Sequence, residues 1–109
     1  MNLSWFAFNV KEYVSSTMRL TTVGHGVMIQ FLCHYCEFGC LPEGDEAKMK
    51  LAQIDATEWL RIKPLLIRPL PYHWTEDWTN PTLDAAIAQS KAWYLRRLER
   101  AQAGADRPE

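Results

Sequence analysis

The strongest hydrophobic pattern of the chain lies between residues 21 and 39. Apolar side chains recur there at intervals of three and four, and a second apolar stripe runs along another face. The first stripe consists of Val23, Val27, Met28, Phe31, Leu32, Tyr35 and Phe38. Thr21 or Thr22 can cap the start of this helix, and Gly39 can end it. A helix that is apolar on nearly all sides is predicted to lie at the centre of the fold.

Shorter elements are predicted on both sides of this central helix. They are an extended segment over residues 5–8, a helix over 10–15, a helix over 46–53 capped by Asp45, and a helix over 56–63. Asp55 and Glu58 have the spacing of a capping box at the start of the last of these helices. Pro64 lacks the backbone N–H that a helix needs, so we expect only an irregular extension through Leu66.

Residues 72–79 predict a β-hairpin. Two short aromatic segments, Tyr72-His73-Trp74 and Trp78-Thr79, flank the polar residues 75–77, which fit a three-residue turn. The following Asn80-Pro81-Thr82 favours the start of a new helix. The apolar positions after it indicate one long amphipathic helix that ends near Gln102.

The order of these elements predicts the fold class. We expect a mainly α, α+β protein that is winged-helix-like, with a short N-terminal extended segment, a central buried helix, a β-hairpin wing and a long C-terminal helix. A chain of 109 residues fits one such domain over residues 1–103, with a frayed tail over 104–109. Winged helices contact either DNA or proteins, so the fold alone does not decide the function.

Composition narrows the class of protein. A hydrophobic content of 48% excludes a disordered chain, and a net charge of −1 with a pI near 6.3 differs from that of an obvious nucleic-acid binder. Any DNA partner must therefore be held by a local patch of charge. The apolar start lacks the basic residues of an export signal, and no stretch reaches the length of a membrane span. We expect a cytoplasmic protein with no membrane partner.

Three cysteines form the one metal-like cluster in the sequence. Cys33, Cys36 and Cys40 follow helical spacing, and the candidates for a fourth ligand are His25, His34 and His73. A zinc site needs four converging ligands, which three thiols on one helix do not supply by themselves. We expect reduced thiols that pack as small apolar side chains, with no metal and no cofactor.

No constellation of catalytic residues stands out. The Gly24-His25-Gly26 segment lacks the lysine of a phosphate-binding loop and the serine of a nucleophile elbow. No nucleophile or orienting carboxylate lies at a recognisable spacing from His25. We expect a protein that is not an enzyme and that has no small-molecule substrate.

Aromatic, glycine and turn residues along most of the chain follow the order and spacing of a known family. They are Trp5-Phe6, Tyr13, Thr17, Leu20-Thr21, Gly26, Leu32, Tyr35, Gly39-Cys40-Leu41-Pro42, Trp59 and Trp78-Thr79-Asn80-Pro81-Thr82-Leu83-Asp84. From about residue 4 to 95 the chain resembles the YdaU-type phage and prophage domain of unknown function. That family resembles the winged-helix N-terminal part of phage replication-associated proteins. The resemblance implies no catalytic residues, and Thr82 stands where the family generally carries an arginine.

Two groups of residues are candidates for contact with nucleic acid or with a protein partner. The first group lies on and after the helix that precedes the hairpin, and on the wing: Thr57, Arg61, Lys63, Arg68, His73 and Thr75. The second group forms a basic patch on the C-terminal helix: Lys91, Arg96, Arg97 and Arg100. Either group can also consist of ordinary solvated charges, and the second can meet an acidic partner or another copy of the chain in a homodimer.

Three tryptophans near these groups have two interpretations. Trp74, Trp78 and Trp93 can stack on the bases of a single strand, or they can fill the gap between the hairpin and a helix. We favour the second interpretation. The resulting hypothesis is a non-enzymatic phage-derived domain that acts in DNA replication or its regulation, through weak DNA contact by the helix that starts at Ala56 and by the hairpin. The alternative is a small phage-encoded adaptor or inhibitor that binds a host protein without DNA.

Overall fold

The computed structural model describes residues 4–105 of the chain. These residues contain five α-helices: α1 (Val10–Ser16), α2 (Thr22–Phe38), α3 (Asp45–Ala52), α4 (Ala56–Leu66) and α5 (Pro81–Ala105). The long C-terminal helix therefore continues beyond Gln102 into the predicted tail. Residues 1–3 of the predicted domain and residues 106–109 of the predicted tail lie outside the described residues.

The helix α2 is the centre of the fold, as its apolar pattern predicts. The side chain of Thr21 accepts a hydrogen bond from the backbone N–H of Gly24, and Gly39 ends the helix with a φ of 84°. Helices α3, α4 and α5 all contact α2. The side chains of Met28 and Phe31 on α2 are completely buried, and the ring of Phe31 contacts that of Trp59 on α4. The predicted central helix and both of its ends are confirmed.

The helix α4 begins as predicted but continues further. The carboxylate of Asp55 accepts a hydrogen bond of 2.9 Å from the backbone N–H of Glu58. Pro64 lies on an exposed side of the helix, and the last turn continues to Leu66, which is fully buried. Burial of Leu66 therefore outweighs the hydrogen bond that Pro64 removes. At α3, by contrast, the N-cap is Gly44, one residue before the predicted Asp45.

The predicted β-hairpin wing is wrong, and with it the winged-helix-like, α+β fold class. Between residues 4 and 105 the structure contains no sheet, only an isolated parallel bridge between Ile67 and Trp74. The backbone N–H of Trp74 donates a hydrogen bond of 2.8 Å to the carbonyl of Leu66 at the end of α4. The segment therefore pairs with the helix that precedes it, and not with a second strand.

The burial pattern explains why residues 72–79 do not form strands. Tyr72, His73 and Trp74 are buried one after another. Successive side chains of a strand point to opposite faces, so an exposed wing would leave every second one in water. The two threonines of the segment close a compact loop instead, since the N–H of Thr75 donates to the carbonyl of Thr79 at 2.9 Å.

The N-terminal segment, residues 4–9, lies beside α5 without forming helix or strand. The backbone N–H of Ala7 donates a hydrogen bond of 2.9 Å to Oγ of Ser90 on α5. The N–H of Asn9 donates one of the same length to the hydroxyl oxygen of Tyr72. The first hydrogen bond holds the segment against the last helix, and the second holds it against the loop of residues 72–79.

Candidate functional site

The predicted contact residues of α4 are largely engaged with carboxylates. The guanidinium of Arg61 lies 3.6 Å from Glu58, and the amine of Lys63 lies 3.0 Å from Asp45. Hydrogen bonds from Lys63 lower the pKa of the Asp45 carboxyl, so this carboxylate is charged at neutral pH. A phosphate that approached either cation would meet a negative charge beside it.

The other residues of this group are not gathered on one exposed surface. Thr57 is exposed at the start of α4, and Arg68 is half-buried after its end. His73 is buried, and its Nδ1–H donates a hydrogen bond of 2.9 Å to the carbonyl of Pro71. Burial lowers the pKa of His73, which favours the neutral imidazole. The hydroxyl of Thr75 is hydrogen-bonded to Thr79 at 2.8 Å, so it is held within its loop.

The basic residues of α5 separate into two positions around the helix. Arg96, Arg97 and Arg100 are exposed and fall, with Trp93, within an arc of about 100° at 3.6 residues per turn. Lys91 is half-buried and lies roughly 160° from Trp93, on the side of the helix where its charge acts on Cys36. The structure therefore gathers three of the four predicted basic residues on one face.

Trp93 is at the centre of this arginine face. The guanidinium carbon of Arg97 lies 5.0 Å from the centroid of the Trp93 ring, at the distance of a cation–π contact. The ring of Trp5 meets Trp93 edge to face, with centroids 5.6 Å apart and an interplanar angle of 85°. Both indoles remain 40% to 45% exposed. Two large aromatic rings are thus presented to solvent next to arginines that form no ion pair with other residues between 4 and 105.

A cavity opens between the N-terminal segment and α5. It has a volume of about 540 Å³ and is lined by Trp5, Ala7, Gln89, Ser90 and Trp93. The hydrogen bond from Ala7 to Ser90 joins its two walls. Its size lies within the range of small-ligand sites, and its walls combine flat apolar rings with the amide of Gln89. We call these five lining residues the Trp5–Trp93 cavity.

Sequence reasoning missed Trp5 as a site residue. The apolar pattern of residues 5–8 predicts a segment that crosses the core. Nothing in that pattern distinguishes a buried tryptophan from a half-exposed one, so the exposure of Trp5 could not be predicted. The partner that fixes the segment, Ser90, lies more than eighty positions away. The interpretation that Trp74, Trp78 and Trp93 fill a gap beside a hairpin is wrong in its hairpin: Trp74 belongs to the hydrophobic core and Trp78 packs against it, whereas Trp93 is half-exposed.

Lys48 is a second residue whose role the sequence did not predict. It is buried on α3, where its amine donates a hydrogen bond of 2.7 Å to the carbonyl of Pro42 and lies 5.1 Å from the centroid of the Trp78 ring. Burial lowers the pKa of Lys48, but the amine keeps an acceptor and an aromatic face. This lysine joins α3 to the loop of residues 75–79 and has a structural role.

The cysteine cluster does not assemble a metal site in the described part of the chain. Between residues 4 and 105, no group of three or more His, Cys, Asp or Glu side chains is arranged to hold a metal ion. Cys33 and Cys40 are exposed, Cys36 is buried, and no disulfide joins them. Burial raises the pKa of the Cys36 thiol, which favours the protonated, less reactive form.

Comparison of the chain with protein-family models, with curated proteins and with solved structures finds no match. The resemblance to the YdaU-type domain therefore stays a prediction. None of the helices within residues 4–105 has the length and apolarity to cross a bilayer. The arginine face and the Trp5–Trp93 cavity have to be interpreted from their own geometry.

Proposed function

We propose that this chain is a non-enzymatic, cytoplasmic, phage-derived domain that acts in DNA replication or its regulation and binds nucleic acid weakly through α5. The phage origin and the replication context rest on the YdaU-type resemblance alone. One observation carries the binding proposal: Arg96, Arg97 and Arg100 lie beside half-exposed Trp93 and form no ion pair with any other described residue. Arginine and exposed aromatic rings together are typical of surfaces that bind nucleic acid.

The electrostatics favour α5 over α4 as the contact. The cations of α4 have carboxylates at 3.6 Å and 3.0 Å, and a phosphate would have to displace or approach them. The arginines of α5 can neutralise phosphates without that competition. Three such contacts with a single strand predict a slope of log affinity against log salt of about −2.1, from roughly 0.7 per contact. Binding of this kind is weak and depends strongly on salt.

The test is a titration of a short fluorescent single-stranded oligonucleotide at about 50 mM and about 200 mM salt. The variant Arg96→Gln/Arg100→Gln keeps Arg97 on Trp93 and should reduce the salt slope by about 1.4. The matched control Arg61→Gln/Lys63→Gln removes the same number of charges from α4 and should bind like the wild type. Absence of binding at the lower salt, or loss of binding in the α4 control alone, would refute the proposal.

A second candidate function is a protein adaptor or inhibitor, and one observation favours it. Leu95 and Leu98 are exposed together on α5, about 140° to 160° around the helix from Trp93 and therefore on the side away from the arginines. Exposed apolar residues on one helix face are typical of protein interfaces. A stoichiometric partner that is captured by the wild type and lost with Leu95→Ser/Leu98→Ser would support this function. That result, together with no oligonucleotide binding, would replace the nucleic-acid proposal.

A further inference from the structure

We propose that the Trp5–Trp93 cavity receives one unpaired base of a single-stranded nucleic acid. The inference rests on the proposed function, because the arginine face has to hold the strand before a base can enter. It adds a preference for single strands and a residue-level site for the base. The shape of the cavity, its polar groups and the placement of charge along α5 support this site.

The two indoles give the cavity the surface that a base requires. Trp5 and Trp93 stand nearly perpendicular, at 85°, and both contribute to the walls of a cavity of about 540 Å³. A planar ring that enters can stack on one indole while its edge meets the other. Stacking of this kind tolerates every base, since all bases have a π face.

The polar groups of the cavity can satisfy the edge of a base. The side chain of Gln89 forms no hydrogen bond with the other described residues, so both its donor and its acceptor are available. Ser90 is buried and its Oγ accepts from the N–H of Ala7, so Gln89 is the exposed polar side chain of the cavity. The side-chain amide of Gln89 can rotate to present either its N–H donor or its oxygen acceptor, so it can bond to purines and to pyrimidines. We therefore expect little base specificity.

The charges favour a strand over a free nucleotide. Trp93 and Arg100 are seven residues apart on one helix, which is about 10 Å along its axis. A single phosphate does not cover that length, whereas the phosphates that follow a bound base can meet Arg97 and then Arg100. A duplex fits less well, because its bases are already paired and stacked inside the helix and would have to be unpaired first.

The same arginines disfavour a second copy of the chain as the occupant. A symmetric dimer places the same surface of both copies against each other. Pairing through Trp93 would therefore bring two sets of Arg96, Arg97 and Arg100 together. Within residues 4–105 of each copy these arginines form no ion pair, so the like charges that meet would repel each other.

The closing experiment compares two single strands of equal length, one normal and one that carries abasic sites along its centre. The phosphates are the same in both, so only the stacking partner differs. The wild type should bind the abasic strand roughly tenfold more weakly, the effect expected for the loss of one stacked base. This measurement needs no variant of the protein and does not depend on how a substitution folds.

Two variants test whether the Trp5–Trp93 cavity causes the difference in affinity between the two strands. Trp93→Ala should lower affinity for the normal strand to that for the abasic strand and should bind both alike. The matched control is Phe38→Ala, which removes another exposed aromatic ring from α2, outside the cavity. It should retain the full difference between the two strands.

Four other outcomes would each contradict the inference, and each would point to a different explanation. Equal binding of both strands by the wild type removes the base site, while a salt slope that still depends on Arg96 and Arg100 would leave the proposed function intact. No binding of either strand removes both proposals. Displacement of the strand by adenosine monophosphate at equal concentration would assign the cavity to a free nucleotide. A dimer that becomes monomeric with Trp93→Ala would assign it to a second copy.

Discussion

The side-chain amide of Asn80 donates a hydrogen bond of 2.9 Å to the backbone carbonyl of Tyr72. The same side chain accepts a bond of 3.0 Å from the N–H of Leu83, which caps the start of α5. Asn80 is completely buried. One residue thus connects the loop of residues 72–79 to the last helix, and this connection holds Trp74 in the core.

Replacing Asn80 by alanine should destabilise the protein by about 2–4 kcal/mol. Loss of an N-cap costs roughly 0.5–2 kcal/mol, and the buried carbonyl of Tyr72 that loses its donor adds about 1–3 kcal/mol. The measurement is urea unfolding followed by circular dichroism. The control, Asp55→Ala, removes an exposed cap and should cost only about 1 kcal/mol. Equal losses in the two variants would contradict this role of Asn80.

Stability should fall in mild acid because of His73. Burial lowers the pKa of His73 from its ordinary value of 6.5, so the folded protein takes up this proton less readily than the unfolded chain. The contribution of His73 to the free energy of unfolding is therefore complete when the pH is above 6.5. This contribution is lost as the pH falls from 6.5 towards the lower pKa of His73 in the folded protein. The nearby charge of Arg68 acts in the same direction.

The measurement compares the free energy of unfolding of the wild type and of His73→Asn at about pH 7.5 and about pH 5.5. Asparagine can keep the hydrogen bond to the carbonyl of Pro71 but does not titrate. The wild type should lose more stability than the variant between the two pH values. Parallel losses would show that other groups cause the acid sensitivity.

The three thiols should differ in reactivity. Cys33 and Cys40 are exposed and should react quickly with a thiol reagent such as dithionitrobenzoate. Cys36 should react slowly, because it is buried and because burial raises the pKa of its thiol. The substitution Cys36→Ser should remove the slow phase alone. Three equal rates would mean that α2 opens faster than the reagent attacks.

Local signals predicted the helices of this chain well. Thr21, Gly39 and Asp55 act within a few residues of the ends that they define, and the structure places a cap or a helix end at each. The stripe of apolar side chains on α2 likewise predicts which of its residues are buried. These features depend on short-range hydrogen bonds and on periodicity, and both can be recognised in the sequence.

The hairpin and the site depend on contacts that the sequence does not contain. Residues 72–79 have the aromatic content of strands, yet the N–H of Trp74 pairs with Leu66 and the carbonyl of Tyr72 pairs with Asn80. The choice between a hairpin and this loop is made by tertiary contacts, which override β propensity. The basic patch of α5 was visible as charge, but its partner Trp5 comes from the other end of the chain.

The most direct test of the central claim uses the five tryptophan indole N–H signals in a proton–nitrogen correlation spectrum. The protein is titrated with a short single-stranded oligonucleotide at low salt. If the arginine face and the Trp5–Trp93 cavity are the contact, the signals of Trp5 and Trp93 shift and those of Trp59, Trp74 and Trp78 do not. Shifts confined to Trp59, Trp74 and Trp78, or no shift at a saturating concentration of the strand, would contradict the account.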